Sequence, residues 1–246
     1  MTAPDCGDPV GCMVPDPDAV DLRGLRLTHL AAGTSFPTVH RTKYPAGQFN
    51  ASGLGNSRFS PLHDEDGGVI ATLYGARTRV AALLETAFHT VHAGYPRIVY
   101  EAWLTERGLV TLRTPQRIAL VDLRDDQLER LGLQRDQLVA TTPMHYPCTR
   151  AWARKLRSRR IGGVTPAGLL WRSRVAELAG GDSLLLEDLL AGEPADVWML
   201  FGDRLPTEPS DWTPRPPNYE DLVGGEGRLL IEQIATQLDA TIHPNA

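Results

Sequence analysis

The chain has 246 residues, 42% of them hydrophobic, enough for one large domain or two small ones. Its formal charge of -5 gives no basic footprint for holding nucleic acid by counterion release, and the local run Arg154, Lys155, Arg157, Arg159 and Arg160 reads as a solvated helix face. Three cysteines are too few for a disulfide framework; Cys6 and Cys12 have no second pair nearby to complete a zinc site, and Cys148 has no obvious paired base, so inert thiols are expected.

Residues 1–22 carry Pro4, Pro9, Pro15 and Pro17 among acids and glycines, which predicts a mobile leader. Asp5, Asp8, Asp16, Asp18 and Asp21 interrupt any apolar core there, which argues against a secretory signal. No later segment approaches the run of about 20 apolar residues that crosses a bilayer. A cytoplasmic protein without membrane contact is therefore expected.

The body is expected over residues 23–204. β-rich runs at Val69 to Tyr74, Ile98 to Leu104, Val110 to Leu112, Ile118 to Val121, Leu169 to Trp171, Leu184 to Leu186 and Val197 to Phe201 alternate with helical stretches. The pattern predicts an α+β class, a single mixed α/β domain. The clearest helix follows Thr78, a suitable N-cap, with Val80, Leu83, Leu84, Ala87, Phe88 and Val91 on one stripe. Another is predicted over Tyr146 to Arg157, with Trp152 and Leu156 turned inward. Pro206, Pro209, Pro214, Pro216 and Pro217 make Leu205 to Asn218 a linker or surface strap. The tail, residues 205–246, then ends in a helix over Gly227 to Ala240, with Leu229, Leu230, Ile234 and Leu238 at helical spacing.

No Gly-x-Ser-x-Gly elbow, P-loop or complete dinucleotide fingerprint is present. Gly53-Leu54-Gly55-Asn56-Ser57-Arg58 begins like a dinucleotide loop but lacks the third glycine and runs into Phe59-Ser60-Pro61 rather than a helix. Glu85, His89 and His92 share a helix face at workable metal spacing, yet histidines near a helix C-terminus are equally explained by the dipole, so no metal site is predicted.

A different constellation stands out. Arg58 lies in a Gly/Asn/Ser-rich loop, Tyr74 ends a β-run, Glu85 sits in the next helix and Ser173 follows a distant strand. Glu85 is the odd member, a carboxylate directly after Leu83 and Leu84 in an otherwise apolar helix, which suits the edge of a cleft.

With these residues the sequence resembles the RES family, named for an arginine, a glutamate and a serine. Thr38-Val39-His40-Arg41 resembles the family's opening strand, and Phe49-Asn50 with Gly55-Asn56-Ser57-Arg58-Phe59-Ser60-Pro61 resembles its arginine loop. Leu73-Tyr74-Gly75-Ala76 and Ala81-Ala82-Leu83-Leu84-Glu85 resemble the strand and helix carrying the tyrosine and glutamate. Val121 to Asp125, Leu131-Gly132-Leu133 and Tyr146 to Ala153 follow in order, and Gly168 to Arg174 resembles the serine strand.

The resemblance implies a fold similar to ADP-ribosyltransferases and an enzyme that degrades NAD, some members being toxins of toxin–antitoxin pairs. It implies Arg58, Glu85 and Ser173 as catalytic residues, with Arg41 and Tyr74 joining them in holding NAD. NAD is then a substrate rather than a resident cofactor, with inorganic phosphate as a possible co-substrate, no metal required and an antitoxin protein as the implied partner. Loss of nicotinamide builds an oxocarbenium-like transition state, which a carboxylate such as Glu85 can stabilise. Arg58 offers a planar fork for phosphate, Tyr74 can stack on nicotinamide or bond the ribose, and Ser173 can position the ribose or the incoming phosphate. Phosphate, water and a macromolecule all remain open as acceptor, as does a non-catalytic binding module on the same fold. The acidic stretch from Arg174 to Ser183 and the Pro-rich tail depart from a compact toxin.

Overall fold

In the computed structural model, which describes residues 5–91, 96–176, 190, 192–212 and 219–244, the apolar runs become strands whose pleat separates two cores. Strands β1 (Leu27–Leu30) and β2 (Ser35–Arg41) come first, then the short β3 (Leu62–His63) and β4 (Val69–Ile70), and β5 (Thr72–Ala76). Helix α1 (Arg79–Thr86) follows, then β6 (Ile98–Tyr100), α2 (Glu101–Thr105), β7 (Arg107–Arg113), β8 (Ile118–Asp122) and α3 (Asp125–Arg130). The remainder holds α4 (Tyr146–Ser158), β9 (Gly168–Arg172), β10 (Asp196–Phe201), β11 (Tyr219–Asp221), α5 (Gly225–Gln237) and β12 (Thr241–His243). The class is the mixed α/β one that the pattern predicts.

A five-stranded sheet runs β1-β8-β9-β10-β5, parallel only between β8 and β9. Because side chains alternate along a strand, it presents two apolar faces. Val121, Leu169, Trp171, Val197, Met199 and Phe201 enter one core with Leu83 of α1, Trp152 of α4 and Ile234 of α5. Leu120, Leu170, Trp198 and Leu200 enter the other, against Phe36, Val110 and Leu112 of the antiparallel sheet β11-β7-β2. Helices thus cover one face and a second sheet the other. All six residues of β10 are buried, which explains its unbroken apolar run.

Several expectations are corrected. The run from Ile98 to Leu104 leaves the strand after Tyr100 and turns into α2, where Ala102 and Leu104 favour the helix. The run from Val69 to Tyr74 divides into β4 and β5. In α5, Leu229 is exposed, and Ile231 joins Ile234 and Leu238 on the inner face. The strand expected at Leu184 to Leu186 lies outside the described residues.

Residues 5–22 have little regular structure, as their composition predicts, and they touch the body at a few points. Val14 and Leu22 are buried, the Pro15 carbonyl accepts a 2.7 Å bond from Trp152 Nε1, and Asp18 pairs with Lys155. Lys155 and Arg157 of the basic run are in ion pairs with acids of this chain, Arg157 with Asp203. In the Pro-rich stretch, Trp212 is buried edge-on to Phe36 and Phe49. No disulfide joins the three cysteines. No helix among the described residues is long and apolar enough to cross a membrane.

Candidate active site

Thr78 starts the construction: its hydroxyl accepts the Ala81 amide at 3.0 Å and fixes where α1 begins. Val80, Leu83 and Leu84 then pack into the helical core, leaving Glu85 at the edge between α1 and the sheet. Trp171 and Ser173 are two residues apart, so both project from the same face toward α1. Their side chains converge on one carboxylate: Glu85 Oε2 accepts from Ser173 Oγ at 2.8 Å, and Oε1 from Trp171 Nε1 at 3.3 Å and Arg58 Nη1 at 3.1 Å.

Ser173 is fully buried, and the Arg58 and Glu85 side chains are only 7% and 14% exposed. Desolvating such a pair is costly, and added hydrogen bonds from Trp171 and Ser173 help offset it. Arg58 Nε is buried without a hydrogen-bond partner among the described residues. That leaves a charged donor in reserve.

The arginine loop is gripped from two sides. From α4, the Thr149 hydroxyl donates to the Arg58 carbonyl and Arg150 Nε to the Ser57 carbonyl at 3.2 Å. From β5, the Tyr74 hydroxyl lies 2.7 Å from Ser57 Oγ and 3.0 Å from Ser60 Oγ. Burial pushes the Tyr74 phenol above its ordinary range, against the opposing effect of the two serine hydroxyls, so it stays neutral near pH 7. Gly55 turns the loop at φ 115°, and the chain then buries Phe59 against the Trp171 ring instead of starting a helix. This rules out a dinucleotide-binding turn there.

His89, Tyr146, Arg174 and Val175 complete a cleft of about 40 Å³, room for a water or two. The Tyr146 ring lies 5.8 Å from the Arg58 guanidinium. Wider surface hollows of about 600 Å³ beside Leu22 to Leu27 and about 590 Å³ beside Val14 to Asp18 have no comparable buried carboxylate with convergent donors among their described lining residues.

Four predicted residues, Arg58, Tyr74, Glu85 and Ser173, therefore meet at one place. Arg41 does not join them: it stands exposed at the end of β2, opposite Arg107, and outside the cleft's walls. Burial and the nearby Arg41 charge hold the Arg107 guanidinium down at about 10. His89 Nδ1 faces the Thr86 carbonyl at 2.9 Å, and His92 lies outside the described residues. Trp171, Tyr146 and Thr149 are among the contributors not singled out individually from sequence, as are Arg150, Ser57 and Ser60. For Trp171 the signal was available, since it shares strand parity with Ser173.

The sequence model of the RES domain matches residues 35–219. A chain in the crystal structure of the M. tuberculosis MbcT–MbcA toxin–antitoxin complex superposes with a TM-score of 0.52 at 14% identity, over 92% of this chain and 98% of that one. No curated protein is significantly similar in sequence. With the family match spanning well over half of its length, the chain belongs to the RES-domain family.

Proposed function

We propose that this protein cleaves NAD at the nicotinamide–ribose bond and passes the ADP-ribose to inorganic phosphate or water, as the toxin of a toxin–antitoxin pair. The observation that carries the reading is a single buried carboxylate, Glu85, held by Arg58, Trp171 and Ser173. As the carbon–nitrogen bond breaks, its electron pair goes to the nicotinamide ring and positive charge develops on the ribose. A preorganised carboxylate stabilises that charge without reorganising, and its three donors keep it from turning away.

The unspent Arg58 Nε suits a phosphate oxygen, either of NAD or of the attacking anion. Tyr74, neutral and fixed by Ser57 and Ser60, offers a ring edge and a hydroxyl to the nicotinamide riboside. The cleft is smaller than that group, so its walls must open for substrate to enter. The toxin role is supported by family membership and by the fold shared with a chain of a toxin–antitoxin complex.

The test is to incubate purified protein with NAD, with and without inorganic phosphate, and follow nicotinamide and the mass of the second product. ADP-ribose 1-phosphate identifies a phosphorylase and plain ADP-ribose a hydrolase. NAD left intact under every condition, including candidate acceptor proteins, overturns the enzymatic reading.

A further inference from the structure

We propose that Cys6, Cys12, His145 and Cys148 form a structural zinc site that fastens residues 5–22 to the start of α4. These residues are far apart in sequence, which is why the two early cysteines looked incomplete. The fold supplies the missing pair from one turn: His145 immediately precedes α4 and Cys148 lies in its first turn, three residues on, so both reach the same side.

Two of the donor separations match those of a tetrahedral ion. Cys6 Sγ lies 3.6 Å from His145 Nδ1, and Cys12 Sγ lies 3.6 Å from Cys148 Sγ. The donor atoms of Cys6, Cys12 and His145 all fall within 4.8 Å of one another, and Cys148 stands beside that trio through its contact with Cys12. Zinc bonds of about 2.3 Å to sulfur and about 2.05 Å to nitrogen at tetrahedral angles place two sulfurs ~3.8 Å apart and sulfur and nitrogen ~3.6 Å apart. A disulfide would instead bring the sulfurs to about 2.05 Å. An isolated thiol contact explains one such distance; it does not explain three thiols and an imidazole converging from segments more than 130 residues apart. The donor set is soft and contains no carboxylate, which selects zinc over magnesium or calcium.

The local backbone is shaped for the purpose. Gly7 donates to the Met144 carbonyl at 3.0 Å, laying the first cysteine beside His145. The Asp8 carboxylate accepts the Gly11 amide at 2.9 Å, folding the loop between Cys6 and Cys12 back on itself. Cys148 is 4% exposed, so the ion would be sheltered on the helix side. Val14 and Leu22 are the buried apolar anchors of residues 5–22, and four metal bonds would fix what so small an anchor leaves loose.

The position has a consequence for the cleft. The ligands at 145 and 148 bracket Tyr146, which faces Arg58, and directly precede Thr149, which holds the Arg58 carbonyl. The ion would therefore act as a positioning element for the arginine loop, several residues away from the chemistry.

The test is metal analysis of the full chain, purified under reducing conditions without chelator and then equilibrated with zinc. The expected content is about one zinc per chain, with cobalt(II) in its place giving the intense visible bands of a tetrahedral thiolate site. Cys12→Ser/Cys148→Ser is expected to bind zinc at least ~10-fold more weakly. Should that variant fail to fold, wild type still decides: bound zinc must protect all three thiols from alkylation, and a mercurial that blocks them must release the ion. Less than about 0.2 zinc per chain, thiols that alkylate equally with and without zinc, unchanged binding in the double variant, or a Cys12–Cys148 disulfide as the resting form each overturns the proposal. None of these readouts depends on NAD turnover.

Discussion

Glu85→Gln isolates charge from shape. The amide oxygen can still accept from Arg58 Nη1 and Trp171 Nε1, and the amide nitrogen can donate to Ser173 Oγ, so the three contacts at Glu85 survive. What disappears is one negative charge. At about 4 Å and an effective dielectric of about 20, its attraction for a developing cation is ~4 kcal/mol. With about 1.4 kcal/mol per tenfold in rate, the variant should lose ~10³-fold in kcat/KM for NAD. Stability falls too, because Arg58, 7% exposed, loses its counter-charge; the cost should stay below ~3–5 kcal/mol since the cleft opens to solvent. The assay is nicotinamide release well below the melting temperature, normalised to the folded fraction from circular dichroism. A folded Glu85→Gln protein within about tenfold of wild type refutes the electrostatic role.

Four further outcomes are expected. Arg58→Lys keeps the charge but loses the fork, so apparent KM for NAD or phosphate should rise; an unchanged KM removes Arg58 from substrate binding. Trp171→Phe keeps a ring near Phe59 and Tyr74 but deletes the indole donor at 3.3 Å, and should lower kcat/KM by roughly tenfold in the folded fraction, with a lower Tm from the core volume it removes. Gly75→Ala would place a methyl 2.5 Å from Trp198 Nε1 and 2.6 Å from the Phe36 ring, costing at least ~2 kcal/mol and lowering Tm by ~4–8 °C; an unaltered melting curve counts against this packing. Burial holds the Asp196 carboxyl above its ordinary range despite Arg124 and Arg77, so the folded chain binds that proton more tightly than the unfolded one. Its contribution to stability therefore falls as pH rises from about 4. Across that window, denaturant titrations should show the stability of Asp196→Asn relative to wild type improving as pH rises, and a flat difference would contradict it.

The helical core and the site were legible because each announces itself locally. Thr78 before an apolar stripe marks α1, the unbroken Val197 to Phe201 marks a strand buried on both faces, and a lone carboxylate after Leu83-Leu84 marks the cleft. The misses share another cause, that their meaning depends on distant partners. Ala102 and Leu104 sit in a run that reads as strand until its burial is known. Pro15 looks like leader composition until the Trp152 indole meets its carbonyl. Arg41 falls in a matching segment, but the register of β2 against β7 carries it to the exposed strand end.

The order of the large sheet bears on how the protein comes into being. Strand β10 lies between β9, which leads to Ser173, and β5, which carries Tyr74, and nothing else in that sheet bridges them. A ribosome that has released residue 195 has therefore delivered every member of the cleft but not the strand that aligns them. Nascent chains and prematurely ended products stopping short of Phe201 contain the side chains without the site. In a chain growing from its N-terminus, the cleft can therefore be aligned only once residues 196–201 have been added.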